Sequence, residues 1–199
     1  NSKLLIRREV RQRVRAIAPF LEVIGDPYLV STSVSSKDLD YEAKQNQYWI
    51  VEAYTSSRTY PYAANLPDGR PLRYLRNSVK AIVDAYSGRV HLYVSEPRDP
   101  IILGWQRLFP DLFKPLEEMP SSLREHLKVP TDLFNVQVQQ LLRYHVTDPR
   151  IFYSGDDVWQ VPKELYGRRQ VPVDPYHITA QLGTQESSEF LLLQPLTPL

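Results

Sequence analysis

Alternating small apolar residues dominate the segment 77-NSVKAIVDAYSGRVHLYV-94. The apolar positions that share one face are Val79, Ala81, Val83, Val90, Leu92 and Val94. Because successive side chains of a strand point to opposite faces, this spacing predicts two strands with a common apolar face. Ser87 and Gly88 lie between the two runs and are typical of a turn. The segment therefore predicts an antiparallel hairpin at the centre of a sheet that packs on a core.

The length of the turn decides which residues of this hairpin face each other. A two-residue turn pairs Asp84 with His91, whereas a four-residue turn pairs it with Arg89. Both registers keep the apolar positions on one side of the sheet, so the sequence leaves both open. In either register Asp84 comes just before the turn, where a carboxylate commonly accepts hydrogen bonds from backbone N–H groups.

Four further strands are predicted outside the hairpin, because their segments are rich in β-branched, aromatic and aliphatic residues. They are 27–34, 47–55, 175–182 and 189–196, with polar loops at 35–46 and 183–188. Periodic apolar positions also predict a basic amphipathic helix from residue 3 to about residue 18. This helix either docks on its own domain or lies on an anionic membrane surface.

A helical region is predicted to follow the hairpin. Asp99 is the predicted N-cap of its first helix, because a short carboxylate accepts hydrogen bonds from the first backbone N–H groups, and Pro100 suits the first helical position. These elements together predict the α+β class, with an antiparallel sheet and a helical insert at about 99–153. At 199 residues the chain is expected to form a single domain, 1–199.

Composition excludes several kinds of function. The chain has no cysteine, so it can form neither disulfides nor thiolate metal sites. Its histidines lie in separate predicted elements, its glycines are isolated, and no serine lies at a recognisable nucleophile elbow. We therefore predict no metal site and no cofactor. The formal net charge of +1 argues against strong attraction to nucleic acid, so no nucleic-acid partner is expected.

Two carboxylates occupy matching places in two similar strands. Glu52 lies in 48-YWIVEAY-54, and Asp84 lies in 80-KAIVDAY-86. If the two strands were neighbours, these side chains could stand at the separation of a glycoside-hydrolase acid and base. The alternative is structural, with Asp84 bound to its turn and Glu52 on a solvated strand face.

A tyrosine-rich segment, 56-SSRTYPYAANLPDGRPLRY-74, separates these two strands, and its prolines predict an irregular path. A tyrosine ring can stack on a sugar or anchor a protein interface. The residues predicted to bind a ligand are Tyr60, Tyr62, Tyr74, Arg76 and Asp84. The alternative is that the tyrosines only pack the segment against the sheet.

Several longer runs of the sequence resemble one bacterial family. They include 17-IAPFLEVIGDPYLV-30, 59-TYPYA-63, 75-LRNSVKAIVDAYSGRVHLYV-94, 97-PRDPII-102, 144-YHVTDPRIFYSGDDVWQVP-162 and 189-EFLLLQPLTP-198. In the same order and through nearly the whole chain, they are similar to the large bacterial membrane-protein family known as uncharacterised protein family zero-one-eight-two. Members of that family have a multi-pass membrane region followed by a large extracytoplasmic part. The resemblance implies that this chain is an excised soluble piece of that part, and it implies no catalytic residues.

We therefore expect a non-enzymatic extracytoplasmic domain at the cell membrane that contributes a binding or assembly surface. Its partner would be a protein or a glycan, and the remaining part of the full-length protein would hold it at the membrane. The alternative is an extracytoplasmic hydrolase that acts on a glycan or a peptide, with Glu52 or Asp84 as acid or base. The separation of those two carboxylates distinguishes the two hypotheses.

Overall fold

The computed structural model describes residues 6–34, 46–66, 69–181 and 188–198 of the chain. The chain divides into two compact units, Asn1–Pro130 (unit 1) and Thr131–Leu199 (unit 2). Most of the two predicted polar loops lies outside the described residues, as do the first three residues of the predicted N-terminal helix.

Unit 1 is built on a six-stranded mixed sheet in the order β1-β3-β4-β5-β6, in which β2 also pairs with β3. Its strands are β1 (Glu22–Val23), β2 (Tyr28–Ser31), β3 (Gln47–Ser57), β4 (Tyr74–Asp84), β5 (Val90–Val94) and β6 (Phe113–Pro115). Its helices are α1 (Val10–Ile17), α2 (Pro100–Leu108) and α3 (Ser121–Arg124), with a 3-10 turn at Leu116–Glu118. Strands β5 and β6 are parallel because α2 crosses between them, whereas the other pairs are antiparallel. The predicted α+β class is confirmed.

The long strands β3 and β4 are buried on both faces of the sheet. On one face their small residues pack with the fully buried Val14 of α1 and Ile102 of α2. On the other face Ile50 and Ile82 pack with Leu123 of α3. Each fully buried aliphatic side chain of this size contributes about 1.5–3 kcal/mol, so the two layers hold β3 and β4 rigidly.

Helix α1 begins at Val10 rather than near residue 3. The carboxylate of Glu9 accepts hydrogen bonds from the backbone N–H groups of Arg11 at 3.1 Å and Gln12 at 2.7 Å, so Glu9 caps the helix at this point. Through Val14 the helix packs on the sheet, in agreement with the docked alternative.

The hairpin of β4 and β5 has the register of the four-residue turn. Val83 pairs with Val90, and the backbone N–H of Asp84 donates a hydrogen bond to the carbonyl of Arg89 at 2.9 Å. Gly88 ends the turn with a φ of 68°, a left-handed conformation that glycine adopts without the penalty of a side chain. The predicted antiparallel hairpin is confirmed, and the structure selects between its two registers.

The described residues of unit 2 form two helices and three two-stranded sheets. Its elements are α4 (Thr131–Tyr144), α5 (Pro149–Ser154), β7 (Trp159–Gln160), β8 (Lys163–Tyr166), β9 (Arg169–Pro172), β10 (Tyr176–Ala180), β11 (Glu189–Leu193) and β12 (Thr197–Pro198). The pairs are β7 with β12, β8 with β9, and β10 with β11. Within the described residues, the strands after the predicted insert therefore pair among themselves and do not resume the sheet of unit 1. Strands β8 and β9 are joined by a two-residue turn between Tyr166 and Arg169. Pairing them with each other costs less chain entropy than pairing either with a strand far away in the sequence.

Candidate functional site

The tyrosine-rich segment connects the paired ends of β3 and β4. The last residue of β3, Ser57, pairs with the first residue of β4, Tyr74. The ring of Tyr60 stacks on the ring of Tyr74, with centroids 5.4 Å apart and an angle of 25° between the ring planes. The structure thus brings together two of the tyrosines that the sequence singled out, at one end of the sheet.

Asp99, the N-cap of α2, is fully buried next to Tyr74. Its carboxylate accepts hydrogen bonds from the hydroxyl groups of Thr55, Ser78 (2.6 Å) and Tyr74 (2.7 Å). It also accepts one from the backbone N–H of Ile101 at 3.1 Å, which confirms the predicted N-cap. We refer to Thr55, Tyr74, Ser78 and Asp99 as the Asp99 cluster, because three hydroxyl donors converge on this one carboxylate.

The Asp99 cluster shifts the protonation equilibria of two of its members. Burial opposes ionisation of Asp99, but the hydrogen bonds from Ser78, Thr55 and Tyr74 outweigh it and hold the pKa of the carboxyl below its ordinary value. Burial raises the pKa of the Tyr74 phenol to about 12, and the hydrogen bond to the ionised Asp99 adds to the rise. Near neutral pH the cluster therefore consists of one carboxylate and three neutral hydroxyl donors.

Arginines are frequent in the sequence around the stacked tyrosines. Residues 56–76 contain four arginines and one aspartate, so this segment has a net charge of +3 while the whole chain has +1. Arg58, Arg73 and Arg76 are exposed and form no ion pair with an acidic side chain of the described residues. The positive charge of Arg76 opposes part of the rise in the pKa of the Tyr74 phenol.

Tyr62 is more exposed than Tyr60 and Tyr74, the other tyrosines of this segment. Its side chain is fully exposed, and its backbone has a φ of 59°. A left-handed conformation costs a residue with a side chain about 1–2 kcal/mol, so the fold holds Tyr62 outward against a local penalty. We refer to Arg58, Tyr60, Tyr62, Arg73 and Arg76 as the Tyr–Arg surface.

Asp84 lies at the other end of β4 from Tyr74. The strand has 11 residues, so about 33 Å separates its two ends. The Asp84 carboxylate accepts hydrogen bonds from the backbone N–H groups of Tyr86 at 2.8 Å and Ser87 at 2.7 Å. Asp84 therefore does not join the Tyr–Arg surface, and its predicted turn contacts are formed.

Glu52 is buried in the middle of the sheet rather than on a solvated face. Its carboxylate forms an ion pair with Lys80, the residue directly opposite on β4, and accepts a hydrogen bond from the side-chain amide of Asn77 at 2.9 Å. Burial raises the pKa of the neighbouring Tyr28 phenol well above its ordinary value, and the charge of Glu52 adds to that rise. Glu52 thus lies in a buried polar cluster in which Lys80 and Asn77 both contact the same carboxylate oxygen, Oε2.

The two carboxylates of the hydrolase hypothesis lie in neighbouring strands but far apart along them. Glu52 pairs with Lys80, whereas Asp84 pairs with Tyr48 four positions further along. At about 3.3 Å per residue this offset is roughly 13 Å, beyond the 9.5 Å or so that an inverting acid and base span. The register of β3 and β4 therefore separates the two groups.

The Asp99 cluster is the arrangement that the sequence did not predict. The pairing of β3 and β4 shifts between Ala53 and Thr55, where β4 contributes one additional residue. Around this bulge Ser78 reaches Asp99 while Asn77 reaches Glu52. The available signal was a threonine and a serine in the two central strands, since a buried hydroxyl needs a partner.

No metal-binding group or membrane span is present in the described part of the chain. Within residues 6–34, 46–66, 69–181 and 188–198, no three His, Asp or Glu side chains come together in a way that could hold a metal ion. In the same ranges, none of the helices has the length and the apolar character that crossing a membrane requires.

Comparison with known proteins identifies the relatives of this chain. It is 96% identical over 199 residues to a UPF0182 protein of Prochlorococcus marinus (strain MIT 9303), 70% identical to one of Synechococcus sp. (strain CC9311), and 47% identical over 200 residues to one of Trichodesmium erythraeum (strain IMS101). All of this chain is covered in each case, but it spans only 21%, 21% and 19% of those relatives. No solved structure matches the chain. A model of the uncharacterised protein family UPF0182 matches residues 1–199, and the chain belongs to that family.

Proposed function

We propose that this chain is a non-enzymatic extracytoplasmic domain of a multi-pass membrane protein and that it binds a protein or glycan partner through the Tyr–Arg surface. The remaining part of the full-length protein would hold the domain at the cell membrane. The observation that carries the proposal is the stack of Tyr60 on Tyr74, which the buried Asp99 holds in place in a segment with exposed arginines.

The composition of the Tyr–Arg surface suits binding. Tyrosine and arginine are enriched among the residues that carry most of the energy of protein interfaces, because each offers a large flat contact with polar atoms at its end. Exposed Tyr62 supplies such a contact, and half-exposed Tyr60 supplies a second. Tyrosine rings stack equally well on the apolar face of a sugar, so both partner classes fit.

The Asp99 cluster orders the stacked tyrosines of this surface in the absence of a partner. The hydroxyl of Tyr74 is tied to a carboxylate that also caps α2, and Tyr60 packs on the same ring. A surface whose side chains are already ordered loses less conformational entropy on binding. The cluster therefore supports recognition without itself touching a partner.

The buried carboxylates favour binding over the hydrolase alternative. A general acid or base must reach a proton of its substrate. Glu52 is instead paired with Lys80 inside the sheet, and Asp84 holds the backbone of its own turn. Neither group has a position from which it could act with the other on one bond.

The test uses a full-length protein in which this chain replaces the matching segment of the 96% identical relative. A photo-crosslinking amino acid replaces Tyr62, and living cells are irradiated. We expect a discrete adduct that disappears in the Arg58→Glu/Arg76→Glu variant. The matched control carries the crosslinker in place of Tyr153 in unit 2, whose side chain is also largely open to solvent, with 86% exposed.

The same protein tests the side of the membrane. A membrane-impermeant thiol reagent is added to intact cells that carry Tyr62→Cys, and this position should be labelled without lysis. Labelling only after lysis contradicts the extracytoplasmic location. An adduct that persists after charge reversal, or no adduct at all, contradicts a binding role for the Tyr–Arg surface.

A further inference from the structure

A stack of aromatic rings lies at the C-terminal end of α2. The ring of Phe20, from the loop after α1, stacks on Trp105 with centroids 3.9 Å apart and an interplanar angle of 18°. Phe109, which follows the last turn of α2, lies parallel to Phe20 at 5.8 Å. Three rings from two segments of the chain thus form one ordered layer.

This layer extends from the core to the solvent. Phe20 and Trp105 pack against the buried residues of the α1 and α2 face of the sheet. Phe109 nevertheless remains 42% exposed, and the adjoining Leu108 remains 63% exposed. We refer to Phe20, Trp105, Leu108 and Phe109 as the aromatic edge. It is uncharged, it is continuous with the core, and part of it is open to water.

The aromatic edge is distinct from the Tyr–Arg surface. Helix α2 begins at the Asp99 cluster and has nine residues, so its two ends are about 13 Å apart. One end therefore adjoins Tyr74 in the Asp99 cluster, and the other end presents the exposed apolar side chains of Leu108 and Phe109 beside one basic residue, Arg107. Different partners fit surfaces of such different chemistry.

We infer that the aromatic edge is a docking site for an apolar segment of the same polypeptide, contributed by the part of the full-length protein outside this chain. Proteins rarely leave contiguous apolar surface uncovered, and large exposed patches mark interaction sites. The chain spans only 21% of the length of its 96% identical relative, so about four-fifths of that protein lies elsewhere.

An apolar segment of the same polypeptide is favoured as the occupant because it is covalently linked to the aromatic edge. A segment of the same chain meets the aromatic edge at a high effective concentration, so even a small apolar contact stays occupied. The inference does not depend on the Tyr–Arg surface, which serves a different contact.

Cysteine protection tests the inference. The chain has no cysteine, so Leu108→Cys introduces a single thiol whose substitution at an exposed position leaves the fold intact. The rate of maleimide labelling at this position is measured by mass spectrometry of its peptide, in the isolated chain and in the full-length protein. We expect labelling to be at least about tenfold slower in the full-length protein, which corresponds to about 1.4 kcal/mol of protection.

Arg124→Cys is the matched control. Arg124 is exposed on α3, which packs on the opposite face of the sheet from α2. This position should label at similar rates in both proteins. Equal rates for Leu108→Cys in the two proteins overturn the inference.

A photo-crosslinker in place of Leu108 identifies the occupant in the same full-length protein. The expected adduct migrates as a monomer and joins Leu108 to a peptide outside this chain. An adduct with lipid, with a second copy or with another protein overturns the inference, as does the absence of an intramolecular adduct. Because Tyr62 reports on the Tyr–Arg surface separately, the two proposals can fail independently.

Discussion

The hydroxyl of Tyr74 donates a hydrogen bond to the carboxylate of Asp99 at 2.7 Å, and this contact joins the first residue of β4 to the N-cap of α2. The two residues are far apart in sequence, yet they fix the end of the sheet that carries the Tyr–Arg surface. Stability and binding at this end of unit 1 should therefore depend on the same buried carboxylate.

Replacing Asp99 should be much more costly than removing an ordinary helix cap. Asp99→Ala leaves three hydroxyl donors in a buried site without their acceptor, and each such loss costs about 1–3 kcal/mol. We expect the free energy of unfolding to fall by about 3 kcal/mol or more, measured by urea denaturation of the isolated chain. Asp148→Ala is the matched control, because Asp148 caps α5 ahead of a proline at an exposed position and should cost only about 1 kcal/mol. Equal losses in the two variants would contradict the role of the cluster.

The Asp99 cluster should also contribute to acid sensitivity. The pKa of Asp99 is lower in the folded chain than its ordinary value of 3.8, so the unfolded chain takes up a proton first as the pH falls. The contribution of Asp99 is therefore fully present above about pH 5 and declines as the pH falls through 3.8 and below. Asp99→Asn should lose less stability over this interval than the unmodified chain, as measured by urea midpoints between pH 3 and pH 6. A variant with the same pH dependence as the unmodified chain would show that Asp99 does not titrate in this way.

At high pH the same cluster should lose stability through Tyr74. Its pKa is raised from 10.0 to about 12, so its contribution is fully present below pH 10 and is lost as the pH rises from there towards 12. Tyr74→Phe removes the ionisable hydroxyl and should reduce the loss of stability between pH 9 and pH 11. Tyr86→Phe serves as control, because it removes the hydroxyl of an exposed turn residue outside the Asp99 cluster.

The ion pair of Lys80 with Glu52 should be sensitive to the loss of either partner. Lys80→Met leaves the Glu52 carboxylate buried without its counter-charge. We expect the free energy of unfolding to fall by about 3–5 kcal/mol. The double variant Lys80→Met/Glu52→Gln removes both charges and should regain a large part of that loss. A double-mutant cycle from urea denaturation measures this coupling, and additive effects of the two substitutions would contradict it.

The sequence predicted the features that depend on neighbouring residues and missed those that depend on residues far apart in the chain. The hairpin of β4 and β5 and the N-cap role of Asp99 depend on neighbouring residues, and both were predicted. The three-residue strand β6 was not predicted, because it pairs in parallel only after α2 has brought it back to β5. A short strand that ends in proline has no periodic signal of its own.

The sequence predicted only part of the candidate site, because the rest depends on residues that are far apart in the chain. The tyrosines stood out by composition, and the stack of Tyr60 on Tyr74 lies within one segment. The Asp99 cluster depends instead on the bulge that shifts the pairing of β3 with β4, which no local pattern indicates. The same register separates Glu52 from Asp84, so similar local sequences gave two carboxylates with unrelated surroundings.

Tyr62 offers a way to separate binding from stability. Its left-handed backbone disfavours any residue with a side chain, whereas glycine adopts it freely. Tyr62→Gly should therefore leave the free energy of unfolding unchanged or raise it by about 0.5–1 kcal/mol, while Tyr60→Ala should lower it by about 1 kcal/mol through loss of the stack. If the Tyr–Arg surface binds a partner, Tyr62→Gly should weaken that binding at least tenfold although the domain is no less stable. Stability is measured by urea denaturation of the isolated chain. Binding is measured in the full-length protein, as the yield of the adduct from a crosslinker placed at Tyr60. Loss of binding only in variants that also lose stability would show that Tyr62 is not a contact residue.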